Sequence, residues 1–236
     1  MLSRQPNMNV ERIRLLGLIG AATVTIALWQ VPGGNYILYP FTILATWFHE
    51  MAHGLMALLV GGKFDRLIIF PNGSGIAYYS GPLFFEPIST VLVASAGPMG
   101  PPLAGAGLII ASRNPKASSV VLKFLGIFML FSALVWVRTI FGFVAILVMG
   151  AIVLGISFMR SQGMRNFAVQ FLGVQACVAT YVQIDYLFSY SAGPLGISDT
   201  GRIQQILLLP YWFWGVLMAV GSIFILITSL RIAYRS

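Results

Sequence analysis

The sequence places two histidines and a glutamate within one helical turn, as His49-Glu50-Met51-Ala52-His53. On a helix, residues four apart leave the same face one turn apart. Each imidazole can then offer one nitrogen to a single Zn²⁺ at about 2.0–2.1 Å. Glu50, beside the first of them, is placed to lean on a metal-bound water as general base. The same spacing arises by chance in soluble helices, so its surroundings decide what it means. Here it lies in an apolar run from Tyr36 to Val60, long enough to cross a bilayer. Ionisable groups are expensive in that setting and mark function by default. Both histidines of the chain belong to the motif. Of the six carboxylates (Glu11, Glu50, Asp65, Glu86, Asp185 and Asp199), Glu50 alone stands at the centre of a long apolar run. A polar cluster that only bonds neighbouring helices is the weaker reading of three such residues so close together.

The elements that must position these residues are membrane elements. The chain has 236 residues, 58% hydrophobic and 8% charged, against about a quarter charged in soluble domains. The fold class expected is an all-α polytopic membrane protein, with about seven transmembrane helices and a small membrane-associated β-hairpin after the second. Residues 1–236 form a single integral membrane domain in this reading, with a polar tail over 1–12 and a hairpin-like insertion over 63–87. The net charge of +8 does not indicate nucleic acid, because the basic residues stand singly or in pairs at the ends of apolar runs. That is how side chains anchor at a lipid bilayer. The single cysteine, Cys177, excludes an intramolecular disulfide and a cysteine-rich metal site. The first apolar run lacks a small-x-small cleavage site and reads as a retained anchor.

The expected spans run from Ile13 to Gln30, Tyr36 to Val60, Ser89 to Ala111, Ser118 to Val137, Thr139 to Phe158, Asn166 to Tyr190 and Ile203 to Ile232. The third is interrupted by Ala96-Gly97-Pro98-Met99-Gly100-Pro101-Pro102. The sixth carries Gln170, Gln175, Gln183 and Asp185, so one of its faces looks inward and offers water a route to the metal. Between the second and third, Leu67–Phe70 and Ile76–Tyr79 read as two short strands around a turn at Pro71–Gly75. A free edge of that hairpin is a place for an extended segment to add as a strand. A re-entrant third run would gather more basic residues on one side, but it would also separate the 191–202 loop from the hairpin.

A catalytic zinc takes three protein ligands and keeps one position for water. With no third histidine, the remaining ligand is a carboxylate or, less favourably, Cys177. Glu11 precedes the first span, and Asp65 and Glu86 read as solvated charges. Asp199 lies in a Gly/Ser/Pro loop that can aim a side chain. Asp185 lies in an apolar run, where burial demands a partner. Residue types and spacing leave both open.

Three stretches resemble the site-2 protease family of intramembrane zinc metalloproteases, in its compact bacterial-type branch. His49-Glu50-Met51-Ala52-His53 matches the zinc-binding and base motif. Ala96-Gly97-Pro98 is similar to the segment opening the span after a membrane-associated hairpin. Pro194 with Ser198-Asp199-Thr200-Gly201-Arg202 resembles N-x-x-P-x-x-x-L-D-G-G-R, with Ser191, Ser198 and Thr200 replacing asparagine, leucine and the first glycine. Pro101 stands where asparagine follows the alanine-glycine-proline. The resemblance implies zinc held by His49, His53 and Asp199 (Asp185 being the alternative), with Glu50 as base. It implies hydrolysis of a peptide bond in or near a transmembrane segment of a membrane-protein substrate, in a bacterial-type cytoplasmic (inner) membrane. It also implies seven spans, with the Asp199 loop on the hairpin's side. The other readings are a catalytically inactive zinc-binding membrane protein that recognises transmembrane helices, and a transporter. An ion path would spread polar residues over several spans, and here they gather in one motif and one span.

Overall fold

A computed structural model describes residues 19–20, 22–182 and 184–234. Helix α1 is described over 22–30. There follow α2 (Gly34–Leu59), β1 (Lys63–Ile69), β2 (Gly75–Ser80), α3 (Ile88–Ala111), α4 (Pro115–Val135), α5 (Ile140–Ser157) and α6 (Gln162–Val182). The short α7 (Ile184–Leu187), a 3₁₀ turn at Gly193–Leu195, α8 (Asp199–Leu207) and α9 (Tyr211–Tyr234) complete the order. By length and composition, four of the described helices (α3, α4, α5 and α9) can cross a membrane. The helix α2 carries the polar motif and is not among them, and much of the expected first span lies outside the described residues. A count of seven is therefore not what the fold itself displays.

Helix α3 is the centre of the bundle, packed against α2, α6, α8 and α9. It corrects one expectation, because it runs unbroken through Pro98, Pro101 and Pro102. A proline's φ is itself helical and removes only one N–H donor. All three rings are buried against neighbouring helices, which is where a membrane helix tolerates proline. The sixth is described as helix over Gln162–Val182 and Ile184–Leu187. One other run is corrected in the opposite sense. The last divides into α8 and α9, because Leu208 turns left-handed (φ 62°) and Pro210 disfavours a helical Leu209 before it.

The hairpin is longer than the sequence suggests. Its strands pair antiparallel, Phe64 opposite Tyr79, Leu67 opposite Ala77 and Ile69 opposite Gly75, with a register shift between Phe64 and Arg66. That bulge matters, since Phe64 and Leu67 are an odd number apart and would otherwise face opposite sides. Both are buried. The outer edge of β1 is covered by the α4–α5 turn. Leu67 N–H donates to the Trp136 carbonyl at 2.8 Å, and Arg138 N–H to the Leu67 carbonyl at 2.9 Å. The Trp136 ring stacks on Phe64 at 4.9 Å. Among the described residues no strand covers the other edge of β2.

Beneath the hairpin lies the main core, including Trp47, Leu67, Ile69, Leu122, Met129 and Ile146. The Trp47 indole N–H donates to Ser132 Oγ at 2.9 Å, which ties α2 to α4. Ser132→Ala leaves that donor buried without a partner and is expected to cost about 1–3 kcal/mol. A lower unfolding midpoint on denaturant titration in detergent would register the loss, and an unshifted midpoint would refute it.

Candidate metal centre

Three side chains from two distant parts of the chain converge inside the bundle. Nε2 of His49 and Nε2 of His53 stand 3.1 Å apart. Asp199 Oδ2 is 3.1 Å from the former, and Asp199 Oδ1 is 3.3 Å from the latter. All three residues are buried, and each can present a ligand atom to one ion. Nδ1 of His53 lies 2.7 Å from the Val93 carbonyl, which fixes Nδ1 as the protonated nitrogen and turns the Nε2 lone pair to the cluster. Two imidazole lone pairs and a carboxylate facing one another repel unless a cation lies among them. Ligands at 2.0–2.1 Å from a tetrahedral zinc are about 3.3–3.4 Å apart, so these donor atoms need move by only a few tenths of an ångström to fit that ion.

Each residue is positioned by identifiable means. Helix α2 supplies both histidines from one face, and Gly97 of α3 gives them room. A Cβ on Gly97 would overlap His53 Nε2 and stand 2.7 Å from His49 Nε2. The loop expected around Asp199 is in part a helix start: Ser198 caps α8, its Oγ accepting from Gly201 N–H at 3.1 Å and donating to the Ser189 carbonyl at 2.5 Å. Asp199 is thus the first residue of α8 and points where the cap aims it. Tyr186 O–H donates to Asp199 Oδ2 at 3.0 Å.

The other sequence candidates lie elsewhere. Asp185 is exposed on α7, and Asp65 and Glu86 are exposed around the hairpin. Cys177 is buried in α6, its thiol 3.7 Å from the Pro102 carbonyl. Glu11 falls outside the described residues. Glu50 is buried next to the cluster and contributes no atom to it. Its Cγ lies against β2, 2.8 Å from where a Cβ on Gly75 would stand. Sequence reasoning missed Val93 and the contact of Tyr186 with Asp199, and no local pattern marks either residue.

Glu50, His49, His53 and Asp199 open into a cavity of about 580 Å³ between β2 and the loop that carries Ala192, Leu195 and Ile197. Arg202 joins the two walls, donating to Tyr79 OH at 3.2 Å. Two amides on the polar face of α6 join helices. Gln170 donates to Ser112 at 3.0 Å and Gln175 to Thr25 at 2.7 Å. Gln183 lies outside the described residues.

Apolar helices around a buried His, His, Asp cluster define an integral membrane protein with a site that can hold a metal ion. The family model described as Peptidase M50B-like matches residues 18–229, and the chain belongs to that family, the site-2 protease family of membrane peptidases. No curated protein and no solved structure matches the chain.

Proposed function

We propose that the protein is an intramembrane zinc metalloprotease that cuts a peptide bond in or near a transmembrane segment of another membrane protein. The observation that carries this reading is the convergence of His49, His53 and Asp199 next to a carboxylate that is not part of the cluster, Glu50. Two nitrogens and one carboxylate oxygen are a donor set suited to zinc. Bound there, the ion would polarise a carbonyl and lower the pKa of its water toward about 7. Glu50 would take the water's proton and pass it to the leaving amine. Val93 and Tyr186 would orient two of the ligands. The free edge of β2, along the cavity, would hold the substrate segment extended by adding it as a strand, and Glu50 lies against that strand. The bilayer delivers the substrate, and the family resemblance suggests a bacterial-type inner membrane.

Zinc content of the detergent-purified protein tests the site. One zinc per chain is expected for the wild type and for Asp185→Ala, and none for Asp199→Ala. Zinc lost only in Asp185→Ala would move the third ligand to that residue. Zinc bound without cleavage of any co-reconstituted transmembrane segment would favour an inactive, helix-recognising protein.

A further inference from the structure

The two oxygens of Asp199 are almost equally placed, one 3.1 Å from His49 Nε2 and the other 3.3 Å from His53 Nε2. The imidazoles therefore do not determine whether the carboxylate would ligate a metal through one oxygen or both. Tyr186 breaks that symmetry. Its O–H donates to Oδ2 at 3.0 Å, and its oxygen accepts the Asp199 backbone N–H at 3.3 Å. The phenol thus holds the carboxylate and its own main chain together. Its ring also stands edge-on to His49, centroids 5.9 Å apart.

We propose that Tyr186 is a positioning residue that reserves Oδ2 of Asp199 for its own hydrogen bond, so that Oδ1 alone ligates and one coordination position stays open for water. The inference rests on the zinc reading above and deepens it. A carboxylate bound through both oxygens would add a ligand where the water belongs, whereas three protein ligands and an open position are what a catalytic zinc requires. A hydrogen bond to the second oxygen occupies one of its two lone pairs and makes that oxygen a weaker metal donor than Oδ1.

The surrounding fold holds Tyr186 in place. Its neighbour Leu187 is buried in a cluster with Ala94, Ile203 and Met218. Helix α9 closes on the Leu187 carbonyl at Gly215, where a Cβ would stand 2.5 Å from that oxygen. Asp185 is exposed and does not line the cavity, whereas Tyr186 does.

The test is Tyr186→Phe in the full chain, which removes one hydroxyl and keeps the ring. Zinc affinity is read by chelator competition, and coordination by the visible absorption of the Co²⁺-loaded protein. The variant is expected to keep one metal per chain with about 10–100-fold weaker affinity. Its Co²⁺ bands should lose intensity, as they do when the coordination number rises. Wild-type affinity and an unchanged Co²⁺ spectrum would overturn the proposal. So would wild-type affinity and spectrum alongside a lower melting temperature of the metal-free variant, since that would assign Tyr186 to packing. A wild type that binds neither Zn²⁺ nor Co²⁺ would overturn the metal reading itself, a result distinct from any Tyr186 effect.

Discussion

Glu50→Gln is expected to lower cleavage of a co-reconstituted transmembrane segment by about 10²–10⁴-fold and to leave zinc at one per chain. The two readouts should separate because Glu50 lies beside the cluster without contributing to it. Glutamine has the same size and shape, so the contact of the side chain with β2 at Gly75 is kept. What it loses is the ability to accept a proton, and the one other described carboxylate lining the cavity is Asp199. Asp199 is held by both imidazoles and Tyr186, and Asp185 is exposed away from the cavity. Glu50→Asp should fall between the two, since it keeps the base but draws it back by one methylene. Cleavage at the wild-type rate in Glu50→Gln would remove Glu50 from the chemistry, and loss of zinc would make it a ligand.

The second large effect is expected from a residue with no functional group. Gly97→Ala should weaken zinc binding at least as much as loss of an outer partner, about 10–100-fold, although it touches no ligand chemically. The added Cβ falls within the space of His53 Nε2 and 2.7 Å from His49 Nε2. Neither side can yield cheaply. Helix α3 is held on four sides by α2, α6, α8 and α9, and His53 is held by its bond to the Val93 carbonyl of α3. The imidazoles would have to turn, and their lone pairs would no longer converge. Gly107→Ala on the same helix is the control, because that position is exposed and a Cβ there meets nothing within 4 Å. It should leave zinc unchanged and, by stiffening the unfolded chain, leave stability equal or about 0.4–1 kcal/mol higher. Zinc bound by Gly97→Ala as tightly as by the wild type would show that the two helices are not in close contact at the site.

The parts of this protein legible in its sequence are those set by local periodicity and by solvent. Eight per cent charged residues allow little except a membrane protein, because so apolar a chain has no surface for water. The four-residue spacing of His49 and His53 makes them one face of α2 by helix geometry alone. The turn residues around Asn72-Gly73 announce the hairpin, although the bulge that turns Phe64 inward shows only in the pairing. Other features needed the tertiary structure. Asp199 lies 150 residues from His49 and meets it only because the Ser198 cap and the packing of α8 on α3 aim it there. Residue type and spacing leave Asp199 and Asp185 both open, and locally only the resemblance around Pro194 and Ser198–Arg202 favours Asp199. The prolines of α3 read as a break because proline removes a donor, and they are not one because neighbouring helices bury them. The last run reads as one helix because hydropathy averages across Leu208–Pro210. Gly97 is only a small residue in sequence, and the need for it arises from what α2 places against it. Solvent and helical period act within a few residues and can be read from the chain. The ligand set, its spacing and its outer partners depend on contacts between distant elements, and only packing decides those.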